Sequence, residues 1–382
     1  MKCTLIHSMS IGGHQLEYLH HLYIGAIKRP TEKFVFLVPP KFHEDSEALN
    51  WPTADNIIIV TAGTEETPSS NCSLLKKGLI NSLTIRRYVK RYQVTDVIVI
   101  TMMEYMPYLP LLVRNVRFSG IVYRIYLYEW KEESIKHRIE DAFKYWIMSR
   151  CKVFHHVYMC NDSTSANCLN RLFKTNKYLM MPDPVASLSN YQGKNLREEL
   201  KIESSKIILL HPGGMSEYKN TLGILKAINM LDKESCQRLV FIFAGSVNDS
   251  IKEEFFKLYK EACLKVKIFL FEGFMSFERL ADLFVTCDYV LIPYTVKGQS
   301  SGIVGHAAFY GKPVIVMEGG VIGKMVRKWR LGELISRSSD NSLYQFLFDL
   351  KNKPIYNTDG NGYAESHTVE MFNQTILGEI DI

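Results

Sequence analysis

Short apolar runs alternate along the chain with longer stretches in which hydrophobic residues recur at helical spacing. In the first half the apolar runs are continuous rather than alternating, which is typical of strands buried on both faces of a parallel sheet. They predict strands at 2–8, 34–39, 56–60, 96–101, 121–128 and 153–160, with helices at 14–28 and 73–92 among the intervening segments. This alternation indicates βαβ units and a doubly wound α/β domain.

The second half repeats the pattern more clearly and predicts a second doubly wound domain. Its predicted strands are 206–211, 238–244, 267–271, 289–293 and 313–317, and its predicted helices are 220–231, 251–264, 277–287, 302–310 and 322–329. Two prolines, Pro182 and Pro184, disfavour helix and lead into a polar run. We therefore expect an N-terminal domain of residues 1–185 and a C-terminal domain of residues 186–360, with the helical tail, 361–382, packing back on the first.

Composition fits this division, because 382 residues suit two domains and 47% hydrophobic with 23% charged residues exclude a disordered chain. The net charge is +6, and much of the excess lies in one predicted helix, Lys76–Arg91. The helix is either a solvated face or a peripheral contact with anionic lipid headgroups. No aromatic stacking motif accompanies the charge, so we expect no nucleic-acid partner.

Targeting and cysteine patterns predict a cytoplasmic protein. Met1–Ser8 resembles a strand and lacks the apolar core and cleavage site of a secretory signal. The most apolar stretch, 97–113, is interrupted by Glu104, Pro107 and Pro110, so it is too short to span a membrane. None of the eight cysteines forms a C-x2-C pair, which predicts reduced thiols and no zinc site.

Ligands of open parallel sheets bind beyond the carboxyl ends of the strands, so the loops there are the candidate sites. In the loop after the first strand, Gly12 and Gly13 would let the backbone approach a ligand at a helix N-terminus. The loop has no G-x-G-x-x-G, and a tight turn is the alternative interpretation. In the loop at 212–220, glycines with Ser216 and Lys219 suit a phosphate cradle, unless Lys219 is simply solvated.

Two further loops of the second half carry candidate chemistry. The amides of Ser301, Gly302 and Ile303 begin a helix and would face an anion, with the hydroxyls of Ser300 and Ser301 beside them. His306 lies one turn after Gly302 on the same helix face. Ser300 as a plain N-cap and His306 as a satisfied helix residue are the alternative. The loop at 271–276 could recognise a base edge, or it is an ordinary connection.

The order of these motifs resembles glycosyltransferase family 4, a large family of retaining enzymes with the GT-B fold. The resemblance is carried by the glycine-rich loop with Lys219, by 241–245, 272–275 and 288–293, and by 301–303 followed by 308–314. It is specific over about residues 204–335. In the first half it rests on Gly12–Gly13, the strand order and 182–185. It implies two Rossmann-like domains that face a central cleft.

The resemblance also implies roles for individual residues. In that family the C-terminal domain binds a nucleotide sugar, and a lysine matching Lys219 touches the diphosphate. A metal or other cofactor is not needed, because the lysine and helix dipoles neutralise the leaving group. The implied diphosphate and sugar contacts are Gly12, Gly13, Ser216, Lys219, Gln299, Ser300, Ser301, Gly302 and Ile303. The implied nucleoside contacts are Gly245, Phe274, Met275 and His306.

Three positions depart from the family pattern. Two glutamates eight residues apart are replaced by Gly298 and His306, an arginine before the lysine is replaced by Gly214, and a histidine of the first domain is replaced by Tyr126. These changes indicate either an altered donor preference or a chain that binds without transferring.

The leading hypothesis is therefore a metal-independent glycosyltransferase that moves a hexose from a UDP- or GDP-sugar to a glycan or lipid-linked glycan in surface polysaccharide synthesis. Retention of configuration comes from the resemblance alone. His14 and Glu129, at ends of predicted strands, are the titratable residues to test first as catalytic groups. The alternatives are a catalytically silent GT-B partner or glycan-binding protein, and a GT-B epimerase or phosphorylase.

Overall fold

The computed structural model describes residues 2–9, 14–46, 49–69, 72–185, 191–339, 341–358 and 360–379. The chain divides into two units. The first comprises Met1–Pro182 together with Val369–Ile382, and the second comprises Asp183–Thr368. Each unit is built on its own parallel sheet.

The sheet of the first unit has seven parallel strands in the order β3-β2-β1-β4-β5-β6-β7. The strands are β1 Cys3–His7, β2 Lys33–Val38, β3 Ile57–Thr61, β4 Asp96–Val99, β5 Arg117–Val122, β6 Phe154–Cys160 and β7 Tyr178–Met181. The helices are α1 His14–Ile27, α2 Phe42–Asp45, α3 Leu74–Tyr92, α4 Leu109–Leu112, α5 Ile135–Arg150 and α6 Ser163–Phe173. Continuous apolar runs such as that of β1 are buried throughout, as expected for a sheet covered on both faces.

The fifth strand of this sheet differs from the prediction. The apolar run at 121–128 predicted a strand, but β5 begins at Arg117 and residues Tyr126–Tyr128 form a 3-10 turn. Ser119 and Gly120 weakened the apolar pattern at the true strand. Gly120 is required there, because a Cβ at this position would lie 2.9 Å from the carbonyl oxygen of Val99 on the neighbouring strand.

The sheet of the second unit has six parallel strands in the order β10-β9-β8-β11-β12-β13. The strands are β8 Ile207–Pro212, β9 Leu239–Gly245, β10 Lys267–Glu272, β11 Tyr289–Ile292, β12 Val314–Met317 and β13 Gly332–Ile335. The helices are α7 Thr221–Met230, α8 Lys233–Arg238, α9 Lys252–Cys263, α10 Phe277–Thr286, α11 Gly302–Phe309, α12 Gly320–Trp329, α13 Ser342–Leu350 and α14 Asn361–Ser366. The two sheets confirm the predicted doubly wound α/β class.

The tail of the chain is shared between the units. Helix α14 belongs to the second unit, whereas α15, Val369–Leu377, belongs to the first. Phe372 of α15 packs on Tyr18 of α1 with 5.1 Å between ring centroids. Gly25 leaves room for the tail, because a Cβ there would lie 2.6 Å from the Asn373 side chain. The predicted single tail element at 361–382 is thus two helices in different units.

The strand order locates the candidate site within the second unit. Its order reverses between β8 and β11, and in open α/β sheets the loops that follow two such strands are where ligands bind. The loop after β8 is the glycine-rich segment with Lys219, and the loop after β11 leads into α11. None of the helices in the described ranges is both long and apolar enough to cross a membrane.

Candidate functional site

The loop between β8 and α7 folds tightly over its own lysine. Gly213 adopts a φ of +87°, a left-handed conformation that favours glycine. A Cβ at this position would lie 2.6 Å from Nζ of Lys219, so the ammonium sits directly over the Gly213 backbone. A side chain at 213 would displace the ammonium, which explains a glycine here by both conformation and space.

Lys219 is a partly buried cation. Its Nζ lies 5.5 Å from the centroid of the Tyr294 ring, in the loop after β11. Burial lowers the pKa of the Lys219 ammonium from its usual value. In the part of the chain that the structure describes, no carboxylate forms an ion pair with it. A desolvated, unpaired ammonium is well suited to attract a phosphate group.

A chain of buried hydrogen bonds holds this loop in place. Nδ1 of His211 lies 3.0 Å from the carbonyl oxygen of Leu291, so Nδ1 must donate. Burial lowers the pKa of His211 to about 4, which leaves the ring neutral with Nε2 as an acceptor. The Thr221 hydroxyl therefore donates to Nε2 over 3.0 Å, and its oxygen accepts from the Ser216 amide over 3.2 Å. We call Leu291, His211, Thr221 and Ser216 the loop relay.

Ser216 contributes more than its amide. Its hydroxyl is buried and makes no hydrogen bond within the described residues. A buried hydroxyl without a partner is costly unless something else occupies that partner's place. The hydroxyl therefore has hydrogen-bonding capacity available for a ligand in this loop.

Backbone hydrogen bonds join the carboxyl ends of the neighbouring strands β8, β9 and β10. The amide of Gly213 donates to the carbonyl oxygen of Ala244 over 2.7 Å, and the amide of Gly273 donates to that of Gly245 over 3.3 Å. Gly245 has a φ of +145°, and a Cβ there would collide with the Gly213 carbonyl. The predicted nucleoside residue Gly245 is thus placed against the phosphate loop.

The predicted base-binding loop presents one aromatic side chain to solvent. Phe274 is 89% exposed, whereas Met275 packs partly against the core of the unit. An exposed aromatic ring beside the carboxyl end of β10 is available for stacking with a planar ligand.

The N-terminus of α11 is arranged differently from the sequence expectation. The hydroxyl of Ser300 donates to Oδ2 of Asp183 over 3.3 Å, and the hydroxyl of Ser301 bonds to that of Tyr294. These hydroxyls were expected to face an anion, but both already have protein partners. Gly302 and Ile303 are the first two residues of the helix, and the contact of their amides with an anion stays a prediction.

His306 and Gln299 flank this helix start. His306 is buried, with its ring centroid 6.0 Å from that of Phe284 on α10. Gln299 is half-buried in the loop before α11. Their roles at ribose and sugar hydroxyls stay predictions.

Arg337, which the sequence analysis did not single out, anchors the loop after β11. Its guanidinium donates to the carbonyl oxygens of Tyr294 and Thr295, each over 3.0 Å, and to that of Glu318 over 2.8 Å. Nothing in its surroundings along the chain signals this role, because its partners lie 19 to 43 residues away. The residue fixes the loop that carries Tyr294 over Lys219.

The candidate residues of the first unit are less completely placed. Gly12 and Gly13 lie outside the described residues, and His14 begins α1 with a side chain that is not described. Glu129 is buried and forms an ion pair with Arg124, whose Nε lies 2.7 Å from its Oε2. A carboxylate already held by a guanidinium is a poor general base.

Two other polar rings are buried in the first unit. His7, at the end of β1, hydrogen-bonds Tyr105, and burial lowers its pKa to about 3. Tyr126 packs 4.5 Å from the Tyr145 ring, and burial raises its pKa to about 12. Neither ring changes protonation near neutral pH.

Within the described ranges, no three or more histidine, cysteine, aspartate or glutamate side chains are grouped so that they could hold a metal ion.

Comparison with known proteins agrees with the motifs. Residues 193–359 match the profile of the family described as Glycosyl transferases group 1. No curated protein matches the sequence. The fold is shared with WaaG, a glycosyltransferase involved in lipopolysaccharide biosynthesis, at 12% identity, a TM-score of 0.70, and coverage of 99% of this chain and 100% of the other.

Two further structures share the fold. HepE from Anabaena, solved in complex with UDP and glucose, is 15% identical with a TM-score of 0.67, covering 99% of this chain and 98% of its own. Sucrose-phosphate synthase from Thermosynechococcus elongatus is 14% identical with a TM-score of 0.73, covering 99% and 96%. Together with the profile match, these likenesses confirm the resemblance to GT-B glycosyltransferases.

Proposed function

We propose that this chain is a glycosyltransferase whose second unit binds a nucleoside diphosphate sugar as donor. The observation that carries the proposal is the partly buried ammonium of Lys219, which has no carboxylate partner among the described residues and is held over Gly213 at the point where the strand order reverses. The match of residues 193–359 to group 1 glycosyltransferases supports it.

The proposed chemistry is stabilisation of the leaving diphosphate. As the sugar–phosphate bond breaks, negative charge grows on the bridging oxygen. Lys219 supplies a fixed positive charge, and the amides of Gly302 and Ile303 supply the positive end of a helix dipole. In this proposal the fold holds both groups before the reaction begins, so little reorganisation is needed. We propose that these groups do the work without a metal or other cofactor.

The nucleoside end of the donor is assigned to the neighbouring loops. Phe274 would stack on the base, with the backbone around Gly245 and Met275 beside it. UDP- and GDP-sugars both fit this proposal, and a HepE structure with UDP-glucose makes UDP the first nucleotide to test. We propose that Gln299 contacts a hydroxyl of the sugar and that the Ser216 hydroxyl donates to a phosphate oxygen. His306 is proposed to contact the ribose.

The acceptor is proposed to be a glycan or lipid-linked glycan in surface polysaccharide synthesis, with a hexose transferred with retention. Because Glu129 is paired with Arg124, the departing diphosphate oxygen is the preferred acceptor of the hydroxyl proton, and His14 is the remaining protein candidate. The basic face of α3 is proposed to contact anionic headgroups at the inner face of the membrane.

Nucleotide-dependent stabilisation tests the donor site. A ligand at 100 times its dissociation constant adds about 2.7 kcal/mol to the folded state. We expect one of UDP, GDP, ADP and CMP to raise the melting temperature, and Lys219→Ala to weaken its affinity about tenfold or more. Lys226→Ala is the matched control, since Lys226 is an exposed lysine of α7 paired with Glu254.

If no nucleotide stabilises the wild type, or if the two lysine variants behave alike, the proposed donor site is wrong. The replacement of the paired glutamates by Gly298 and His306 favours one alternative, a GT-B protein that binds but does not transfer. Nucleotide binding without release of nucleoside diphosphate from any sugar donor and glycan acceptor would support that alternative.

A further inference from the structure

A cavity of about 190 Å³ lies at the amino edge of the sheet in the first unit. It is lined by residues at or near the starts of their strands, namely Thr4 of β1, Phe34 of β2, Asp96 of β4, Arg117 of β5 and His156 of β6. The candidate residues of this unit follow the carboxyl ends of their strands. The cavity is therefore separate from them, at the opposite edge of the sheet.

The strand register places the polar lining residues side by side. Thr4 is aligned with Asp96, and Asp96 is aligned with Arg117. Two residues further along β5, Ser119 is aligned with His156. Side chains alternate between the two faces of a strand, so aligned residues and residues two apart share one face of the sheet.

The other wall of the cavity is the last turn of α15. Ile376 and Leu377 line it, and both are buried in a core that they share with Phe34, Ile98 and Tyr158 of the sheet. The cavity thus combines apolar surface with polar side chains. All of its lining belongs to the first unit.

Two polar atoms of the lining residues are buried without a hydrogen bond to any described residue. They are Oγ1 of Thr4, a residue that is 2% exposed, and Nδ1 of His156. The neighbouring Ser119 hydroxyl already accepts from the His156 amide over 3.3 Å. Because a buried polar atom without a partner is costly, the two atoms indicate that something else binds beside them.

The cations around the cavity are paired with carboxylates. Nε and Nη2 of Arg117 donate to Oδ1 and Oδ2 of Asp96 over 2.8 and 3.0 Å. The ammonium of Lys2 lies 2.7 Å from Oε2 of Glu32. An anion in the cavity would have to compete with these carboxylates, so the charges favour a neutral ligand.

The two histidines of the lining are also uncharged near neutral pH. Burial lowers the pKa of His155, and it lowers the pKa of His156 to about 4. A neutral imidazole has one nitrogen that donates and one that accepts, and a threonine hydroxyl does both. A ligand hydroxyl can pair with either group, since it too donates and accepts.

The size and the mixed lining select the class of ligand. An apolar cavity of roughly 150 Å³ holds a benzene ring, so about 190 Å³ accommodates a six-membered ring with substituents. Water alone would pair with the polar atoms but leave the apolar walls hydrated. A cyclic polyol matches both parts of the lining, because it carries hydroxyls and a C–H face on one ring.

We propose that this cavity is a second binding site, which takes a neutral polyol of monosaccharide size, a pyranose or a cyclitol. Its hydroxyls pair with Thr4 and His156, and its C–H face lies against Phe34 and Leu377. The ligand also holds the end of α15 on the sheet, because α15 supplies one wall. This inference does not rest on the donor site, which is proposed for the second unit.

Saturation-transfer NMR on the full chain tests the proposal. D-glucose, D-galactose, D-mannose and myo-inositol are titrated to about 20 mM, enough to saturate a site with a dissociation constant of about 1 mM. Inorganic phosphate is the anionic probe. The disrupting variants are Thr4→Val and His156→Phe, which keep the shape of the side chain. The matched control is Thr84→Val, because Thr84 is 3% exposed and its hydroxyl donates to the Glu66 carbonyl over 3.4 Å.

We expect at least one of these polyols to bind saturably, and each disrupting variant to weaken that binding about fivefold or more. Without polyol, Thr4→Val should keep the melting temperature of the wild type, since the hydroxyl it removes has no partner among the described residues. Thr84→Val should do the reverse, lowering the melting temperature and leaving polyol affinity unchanged.

The inference is overturned if none of the polyols binds saturably, or if phosphate binds more tightly than all of them. It is also overturned if Thr4→Val and His156→Phe leave polyol affinity unchanged, because the polyol then binds elsewhere, the donor site included. A melting temperature that Thr4→Val lowers as much as Thr84→Val does would show that the Thr4 hydroxyl already has a partner, with the same consequence.

Nucleotide-dependent stabilisation of the same variants separates this inference from the donor proposal. Thr4→Val should keep the full nucleotide shift while it loses polyol affinity. A nucleotide shift without polyol binding overturns this inference alone. Polyol binding that Thr4→Val weakens, in a protein that no nucleotide stabilises, supports this inference and contradicts only the donor site.

Discussion

Replacing Thr221 by valine tests the loop relay most directly. Valine keeps the shape of threonine but removes the hydroxyl that donates to His211 and accepts from the Ser216 amide. Thr221 is fully buried, so water cannot replace the lost bonds. The substitution leaves two buried polar groups without a partner, and each such group costs about 1–3 kcal/mol.

The expected loss is therefore about 3 kcal/mol, after allowing for the small gain from burying a methyl group. For a unit of this size that lowers the melting temperature by roughly 6–12 °C. Because the relay holds the loop that carries Lys219, nucleotide affinity should also fall, even though Thr221 is proposed to touch no ligand. Calorimetry gives the melting temperature, and titration of the best-binding nucleotide gives the affinity.

The matched control is Thr375→Val. The hydroxyl of Thr375 donates to the Met371 carbonyl within α15, and this hydrogen bond is exposed to solvent, so its removal should change stability by less than about 0.5 kcal/mol. If Thr221→Val melts within 2 °C of the wild type, by the same scale, the hydroxyl does not link His211 to Ser216 and the reasoning fails. A lower melting temperature with unchanged nucleotide affinity would refute the coupling between relay and site.

Three further predictions concern conformation, pH and Glu129. Gly213→Ala should weaken nucleotide binding at least about tenfold, because alanine is strained at a φ of +87° and its Cβ would displace the ammonium of Lys219. At Gly214 the atom nearest to a Cβ is 3.9 Å away, so Gly214→Ala should bind the nucleotide normally in the same titration. His211 is buried in its neutral form with a pKa of about 4, below the value of 6.5 in the unfolded chain. It therefore contributes stability above pH 6.5, and up to about 3 kcal/mol of this is lost as the pH falls toward 4. A urea midpoint that is the same at pH 6.5 and pH 4 would contradict this. Glu129→Gln should lower the melting temperature and leave nucleotide binding unchanged. If Arg124→Ala reduces transfer as much as Glu129→Gln does, Glu129 acts through its ion pair with Arg124 and not as a catalytic base.

Local pattern explains most of the strands and most of the helices that bound the loops. A strand in the middle of a parallel sheet must be apolar on both faces, so β2, β8 and β9 stand out as continuous runs. The apolar pattern did not predict two of the strands at the edges of the sheets, where a strand need not be apolar on both faces. Both β7 and β13 have only four residues at sheet edges, and the sequence analysis did not identify them. The glycine-rich loop was identifiable because its glycines, lysine and helix start are adjacent in the chain.

The sequence by itself determined the doubly wound class, the order of the loops and the residues that could meet a phosphate, because each depends on neighbours within one turn of helix or one strand. Only the tertiary structure decided which polar atoms remain for a ligand. His211 reaches a carbonyl 80 residues away, Ser300 reaches Asp183 across 117 residues, and Arg337 closes a loop 43 residues before it. Spacing along a helix fixes which residues share a face, but a hydrogen bond depends on what the rest of the chain places against that face.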